Sequence, residues 1–246
     1  MFLIFDTETI GLPKNYNAPY NDLANWPRMV QLAWQIHSAT GELVCNKNYI
    51  VIPEGFEIPY QSEQIHGIST EKAKEIGHDL KFVLAEFNKD LETVTHAVAH
   101  NFSFDLAVLS AEYIRAEMPN ILSQKIAIDT KDVSTDFCKL PGGRGGQYKW
   151  PKLTELHTQL FQEDFIEAHN ASADVNATAR CFLELIRIGV ITHTILQVPQ
   201  SVITAFKKAQ PTTIQAAHIE LQSNFETKET QKTDVEPEII KTEITH

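Results

Sequence analysis

The chain has 246 residues, of which 21 are Lys or Arg and 32 are Asp or Glu, a formal net charge of −11; 43% of the residues are apolar and 22% are charged. This composition lies near the globular average and excludes a wholly disordered, collagen-like or disulfide-stapled chain. It also excludes a global attraction to nucleic acid or anionic lipid, so a polyanionic partner must meet a local basic patch or bound cations.

In chain order, Phe2–Phe5 is a short continuous apolar run, the pattern of a strand buried on both faces. Met29–His37 and Leu43–Ile52 read as two more strands, with Thr40-Gly41 as the hairpin turn between them. Leu80, Val83, Leu84, Phe87 and Leu91 recur at helical spacing, and Val94–Ala99 returns to a strand pattern. Phe102, Leu106, Leu109 and Tyr113 form a second helical stripe, followed by a short strand at Ile126–Ile128. The cleanest amphipathic helix runs through Val175, Ala179, Phe182, Leu183, Ile186 and Val190. Three strands followed by alternating helix and strand predict an α/β domain with a mixed sheet covered by helices. The domain is expected to occupy residues 1–190. Residues 191–208 are expected to form a C-terminal helix or tether. Residues 209–246 hold one aromatic, no glycine and seven acidic residues against three lysines, the signature of a disordered tail. Cys45, Cys138 and Cys181 are few and far apart, as in reduced thiols of a cytoplasmic protein, and no apolar stretch is long enough to span a bilayer.

The chemistry-bearing residues sit at element ends. Asp6 and Glu8 follow the first strand, and period two puts both carboxylates on one face if the extended backbone continues. Carboxylates held this close repel unless they are protonated or bridged by a hard cation such as Mg²⁺. Asp105 and Asp174 repeat one local design, each two residues after a serine (Ser103, Ser172) at the start of a predicted helix. The serines are expected to be N-caps and the aspartates to sit in the first turn, where the helix dipole favours negative charge. Four carboxylates at strand and helix ends are what a two-metal phosphoryl-transfer site requires; ordinary helix-end electrostatics is the competing explanation. His169 lies five residues before Asp174, where a neutral imidazole can accept a proton from water.

Three segments, Phe5–Leu12 (Phe-Asp-Thr-Glu-Thr-Ile-Gly-Leu), Ala99–Asp105 (Ala-His-Asn-Phe-Ser-Phe-Asp) and His169–Asp174 (His-Asn-Ala-Ser-Ala-Asp), resemble in order the three motifs of the DEDDh exonuclease family. That family includes the epsilon proofreading subunit of bacterial DNA polymerase III. The resemblance covers roughly residues 1–190. It implies an RNase H-like mixed five-stranded sheet flanked by helices, and 3′→5′ exonuclease activity on a nucleic-acid 3′ end, DNA ahead of RNA. It implies Asp6, Glu8, Asp105 and Asp174 as catalytic ligands of two divalent ions, Mg²⁺ or Mn²⁺, and His169 as the general base. His66, in Ile65-His-Gly-Ile-Ser69, is carried over to the terminal-nucleotide pocket, together with the backbone near Thr9 and the side chain of Leu12. Asn101 belongs to the second motif beside the substrate, where with Phe104 it is expected to orient Asp105 and pack the helix. Two features depart from the pattern. Ile10 stands where a second threonine is usual, and residues 14–27, with Tyr16, Tyr20, Trp26, Pro19 and Pro27, form a longer connection than expected.

A substrate path is suggested by Lys139, Arg144, Lys149 and Lys152, which occur with no acidic residue between them. Gly142, Gly143, Gly145 and Gly146 are expected to make this loop flexible, with Arg144 and Lys149 on phosphates and Tyr148 and Trp150 stacking on bases. Gln200–Phe206 loosely resembles a sliding-clamp-binding peptide, although Ile203 and Phe206 also fit a short amphipathic helix packed on the domain. The alternatives are an RNA-directed exonuclease of the same family, a phosphatase, in which Glu8 stands where a second Asp is expected, and a polymerase-associated interaction module.

Overall fold

Residues 2–9, Phe2–Thr9, form the first strand, β1, of a computed structural model that describes residues 1–163 and 171–211. Strand β2 (Met29–His37) turns back antiparallel to it, and β3 (Leu43–Ile50) follows by a hairpin. Three helices, α1 (Tyr60–His66), α2 (Thr70–Ile76) and α3 (Leu80–Leu91), lead to β4 (His96–Ala99). Then come α4 (Phe102–Arg115), β5 (Ile126–Asp129), α5 (Thr130–Cys138), α6 (Leu153–Phe161), α7 (Ala171–Ile188) and α8 (Gln200–Ala209). The sheet order is β3-β2-β1-β4-β5, with β1, β4 and β5 parallel. This is the mixed five-stranded, helix-covered sheet that the resemblance implies.

Alternation along β1 sorts its side chains between two helical layers. Phe2 meets Phe182 of α7 edge-on, with ring centroids 5.1 Å apart. Leu3 and Phe5 point the other way, into a core shared with α3 and α4, where Phe5 lies 5.5 Å from both Phe87 and Phe102. Burying each such side chain is worth about 1.5–3 kcal/mol, so a one-residue slip of β1 would be heavily penalised. The same alternation sends Asp6 and Glu8 toward the α7 layer and Thr7 toward α4. The strand continues through Thr9, so the condition for a shared carboxylate face is met. Because β1, β4 and β5 are parallel, their carboxyl ends lie along one edge, the usual position of a ligand site in such sheets.

The predicted strands and the three periodic helices are present, but both serine caps are displaced. Helix α4 begins at Phe102 after Asn101, whose left-handed φ of 76° replaces an ordinary cap, and Ser103 lies inside the first turn. The amides of Asn101 and Phe102 donate instead to Asp129 at the end of β5, each at 2.9 Å. Ser172 is likewise the second residue of α7, which begins at Ala171.

The long 14–27 connection is packed by its own aromatics. Trp26 is buried against Ala107 and Ala111 of α4, meets Tyr20 edge-on and donates through Nε1 to the Pro19 carbonyl. Ile10 packs beside Val30, Ile58 and Ile68, a use for an aliphatic side chain in place of threonine. Residues Met1–Pro211 form one compact unit, and α8 turns Ile203 and Phe206 inward, the amphipathic-helix reading of this segment rather than an exposed clamp peptide. At the β2–β3 hairpin, Gly41 has φ 91°, and a Cβ there would stand 2.9 Å from the Phe206 ring. Among the described residues no helix is long and apolar enough to cross a membrane, and the three cysteines are free thiols. The expected tail beyond residue 211 lies outside the described residues.

Candidate active site

Carboxylate oxygens of Asp6, Glu8 and Asp174 all lie within 4.8 Å of one another. Two come from the same face of β1 and the third from the first turn of α7, which packs on that face. Asp105 arrives from the first turn of α4 and is fixed by Thr7. The Thr7 backbone amide donates to Asp105 Oδ1 at 3.0 Å and the Thr7 hydroxyl to the same oxygen at 2.7 Å. Thr7 has no place among the expected site residues. Its signal was its position between Asp6 and Glu8, on the opposite face of the strand, the face that meets α3 and α4.

The electrostatics of this cluster are unbalanced. Burial, followed by the charges of Asp105, Asp174 and Glu8, drives the Asp6 carboxyl well above the usual carboxylate range. Glu8 is pushed up to about 8 by burial and then by Asp174 and Asp105. Asp105 is raised to about 7 by burial, against the opposing pull of its two Thr7 hydrogen bonds. Among the described residues, the charges that raise Asp6 and Glu8 are those of other carboxylates. A convergent set of hard oxygen donors, in which the carboxyls raise one another, fits a divalent cation.

Behind the cluster, the ends of β4 and β5 are locked together. Asp129 caps the turn into α4, and Lys131 Nζ donates to Asn101 Oδ1 at 2.8 Å. Asn101 thus ties the start of the helix that carries Asp105 to Lys131. His100 links Thr130 Oγ1 to the carbonyl of Pro151, each at 3.0 Å, and burial lowers its imidazole to about 4, so it is neutral near pH 7.

The remaining predicted residues divide by location. Thr9 ends β1 at a register shift, its hydroxyl donating to the Gly11 carbonyl at 2.7 Å, and Leu12 just beyond is 72% exposed. A cavity of about 370 Å³ opens there, lined among others by Ile10, Leu12, Lys14 and Arg28. His66 is only 5% exposed; Nδ1 accepts from the Ile68 amide, which leaves Nε2 as the protonated nitrogen, buried and without a partner among the described residues. Arg144 and Lys149 line a separate cavity of about 1020 Å³. Lys149 is paired there with Glu155 at 2.7 Å, and Asp132 and Asp136 border the same space, so the loop is less basic than its own residues imply. The Lys149 amide donates to the Leu140 carbonyl at 2.8 Å, closing the loop, and a Cβ on Gly143 would collide with the Gln147 and Tyr148 backbone. The glycines serve a tight chain reversal. His169 lies outside the described residues.

The profile of the RNase_T family, described as Exonuclease, matches residues 3–182. The chain therefore belongs to the RNase_T family of exonucleases, phosphodiester hydrolases that act on nucleic acid in the 3′→5′ direction. It is similar to the PolC-type DNA polymerase III of Streptococcus pneumoniae strain D39, with 29% identity over 186 residues, 76% of this chain and 11% of that protein. The PolC-type polymerase of Staphylococcus aureus RF122 is 26% identical over 219 residues, 85% of this chain and 13% of the relative. The chain thus spans only about a tenth of the length of these polymerases. Among solved structures, E. coli Exonuclease I in complex with a dA16 oligonucleotide has the same fold at TM-score 0.59 and 21% identity, over 76% of this chain and 40% of that one. A second structure of Exonuclease I aligns with TM-score 0.60 at 20% identity, covering 80% of this chain and 42% of the other.

Proposed function

We propose that this domain removes nucleotides one at a time from the 3′ end of DNA, single-stranded or frayed. The observation that carries the reading is the convergence of Asp6, Glu8 and Asp174 oxygens within 4.8 Å, with Asp105 held beside them by Thr7. DNA is preferred over RNA as substrate because the similar proteins include PolC-type DNA polymerases and an exonuclease complexed with a deoxyadenosine oligonucleotide. Association with a DNA polymerase belongs to the same proposal and rests on those relatives alone.

Asp6, Glu8, Asp105 and Asp174 would hold two divalent cations, Mg²⁺ or Mn²⁺. When bound, these supply charge neutralisation and Lewis-acid activation at the attacking water and the departing 3′ oxygen. His169 accepts the proton from the attacking water. As the water oxygen bonds to phosphorus, the P–O3′ bond breaks; the departing O3′ takes a proton from solvent to become the new 3′-hydroxyl of the shortened strand, and a nucleoside 5′-monophosphate is released. Thr7 keeps Asp105 in register with β1 throughout. Leu12 and the backbone at Thr9 border the terminal nucleotide, and the buried His66 Nε2–H is a donor for it, since an unmatched buried N–H otherwise costs about 1–3 kcal/mol.

The test is hydrolysis of 5′-labelled single-stranded DNA, mismatched duplex and RNA with Mg²⁺, using Asp6→Ala as the control. A ladder shortened from the 3′ end, faster on DNA and absent with Asp6→Ala, is the expected result. Faster degradation of RNA would reverse the substrate assignment. Hydrolysis of free phosphomonoesters with no action on oligonucleotides would overturn the reading as a whole.

A further inference from the structure

Trp150 is 63% exposed, whereas Trp26 and Trp34 are buried at 4% and 0%. An indole left in solvent is apolar surface without a partner, yet this one is carefully mounted. Its ring is covered on one side by Lys131, with Nζ 4.4 Å from the ring centroid. The next residue is pinned by the His100 Nε2 to Pro151 carbonyl contact at 3.0 Å. The preceding residue closes the glycine-rich loop through the Lys149 amide and the Leu140 carbonyl. Lys131 in turn donates to Asn101 Oδ1 at 2.8 Å and lies 3.9 Å from Asp129, the carboxylate that caps the start of α4. A continuous set of contacts therefore runs from the exposed indole to the helix that carries Asp105.

We infer that Trp150 is a stacking post for a base in the strand leading away from the scissile bond, and that Lys131 is the positioning residue linking this post to Asn101 and α4. The inference rests on the exonuclease reading and deepens it by naming where the uncleaved strand is gripped. The chemistry matches a single strand: every base offers a π-face, so an aromatic platform grips without reading sequence. A cation fixed on the inner face holds the ring in one orientation, so the outer face is preorganised for stacking. The cation is also committed to Asn101, so a base that fixes the indole also fixes the support of α4.

The experiment compares a twelve-nucleotide oligo(dT) with the p-nitrophenyl ester of thymidine 5′-monophosphate, which has no upstream strand. Trp150→Ala should raise KM on the strand by roughly 5- to 140-fold, the equivalent of losing one stacked base, and far more than on the ester. Trp150→Phe should recover most of that loss. In EDTA, with no turnover, oligo(dT) should quench wild-type tryptophan fluorescence, and the quench should vanish in Trp150→Phe. Lys131→Met should lower kcat on both substrates, with Lys131→Arg restoring it and melting temperatures confirming that each variant is folded. An unchanged KM for Trp150→Ala on the strand, or a quench that persists in Trp150→Phe, would overturn the post. A folded Lys131→Met with wild-type kcat on the ester would overturn the link. Failure of the wild type to degrade any oligonucleotide would instead sink the exonuclease reading, while the quench would still report on strand binding.

Discussion

The carboxylate cluster and the glycine-rich loop flank one edge of the sheet, yet the chain treats their charges in opposite ways. In the cluster, Asp6, Glu8 and Asp174 are gathered so that, among the described residues, other carboxylates raise Asp6 and Glu8. In the loop region, Lys149 is answered by Glu155, and Lys131 by Asn101, Asp129 and the face of Trp150. Unbalanced charge stores a demand for something from outside, and balanced charge builds shape. The contrast assigns chemistry to the cluster and geometry to the loop.

The largest expected effect is at the cluster. Asp6→Ala or Asp174→Ala should abolish hydrolysis while circular dichroism stays native. His169→Ala should slow turnover at saturating substrate by about 10²–10⁴-fold, the usual worth of a positioned base, and wild-type kcat in that variant would remove the assignment. Thr7→Val keeps the backbone amide bond to Asp105 but loses the hydroxyl one. A hydrogen bond to a charged group is worth about 1.5–3 kcal/mol, so kcat should fall roughly 10- to 100-fold with little change in KM. A matching loss in KM alone would show that Thr7 serves binding instead. The smallest effect belongs to loop charge. Arg144→Glu with Lys149→Glu should weaken DNA binding modestly and lower the salt slope by about one to two, less than a fully basic loop would give. An unchanged slope would show that neither side chain reaches phosphate.

Much of this division was legible in the residues themselves. Phe2–Phe5, the hairpin at Gly41 and the stripe from Val175 carry periodicities that packing confirms, and the Asp6/Glu8 pair followed from strand alternation alone. What stayed hidden was set at long range. The cap of α4 is Asp129, 27 residues further along the chain and beyond α4 itself, so local spacing points to Ser103 instead. Thr7 was passed over because attention to one face of β1 ignores what the other face meets. Helix α5, Thr-Lys-Asp-Val-Ser-Thr-Asp-Phe-Cys, is built largely from residues of low helix propensity and depends on its Asp129 cap, whose side chain accepts from the Lys131 amide, and on its neighbours. The Lys149–Glu155 pair was invisible to a charge count that stopped at Lys152.

The cluster also makes a statement about stability. Raised carboxyls mean that the metal-free folded state keeps protons the unfolded chain has released. Stability from these groups is therefore complete below their unfolded values near 4 and is lost as pH rises through about 7 for Asp105 and about 8 for Glu8. Metal-free melting temperatures should fall across that window, and Asp174→Asn should flatten the fall by removing one repelling charge.

Calorimetric titration of Mn²⁺ into the metal-free protein and into Asp174→Asn is the most direct test of whether this cluster is a cation site. The account predicts two ions bound per wild-type chain and a clear loss of affinity in the variant. Absence of binding to wild type, or identical isotherms for the two proteins, would contradict it.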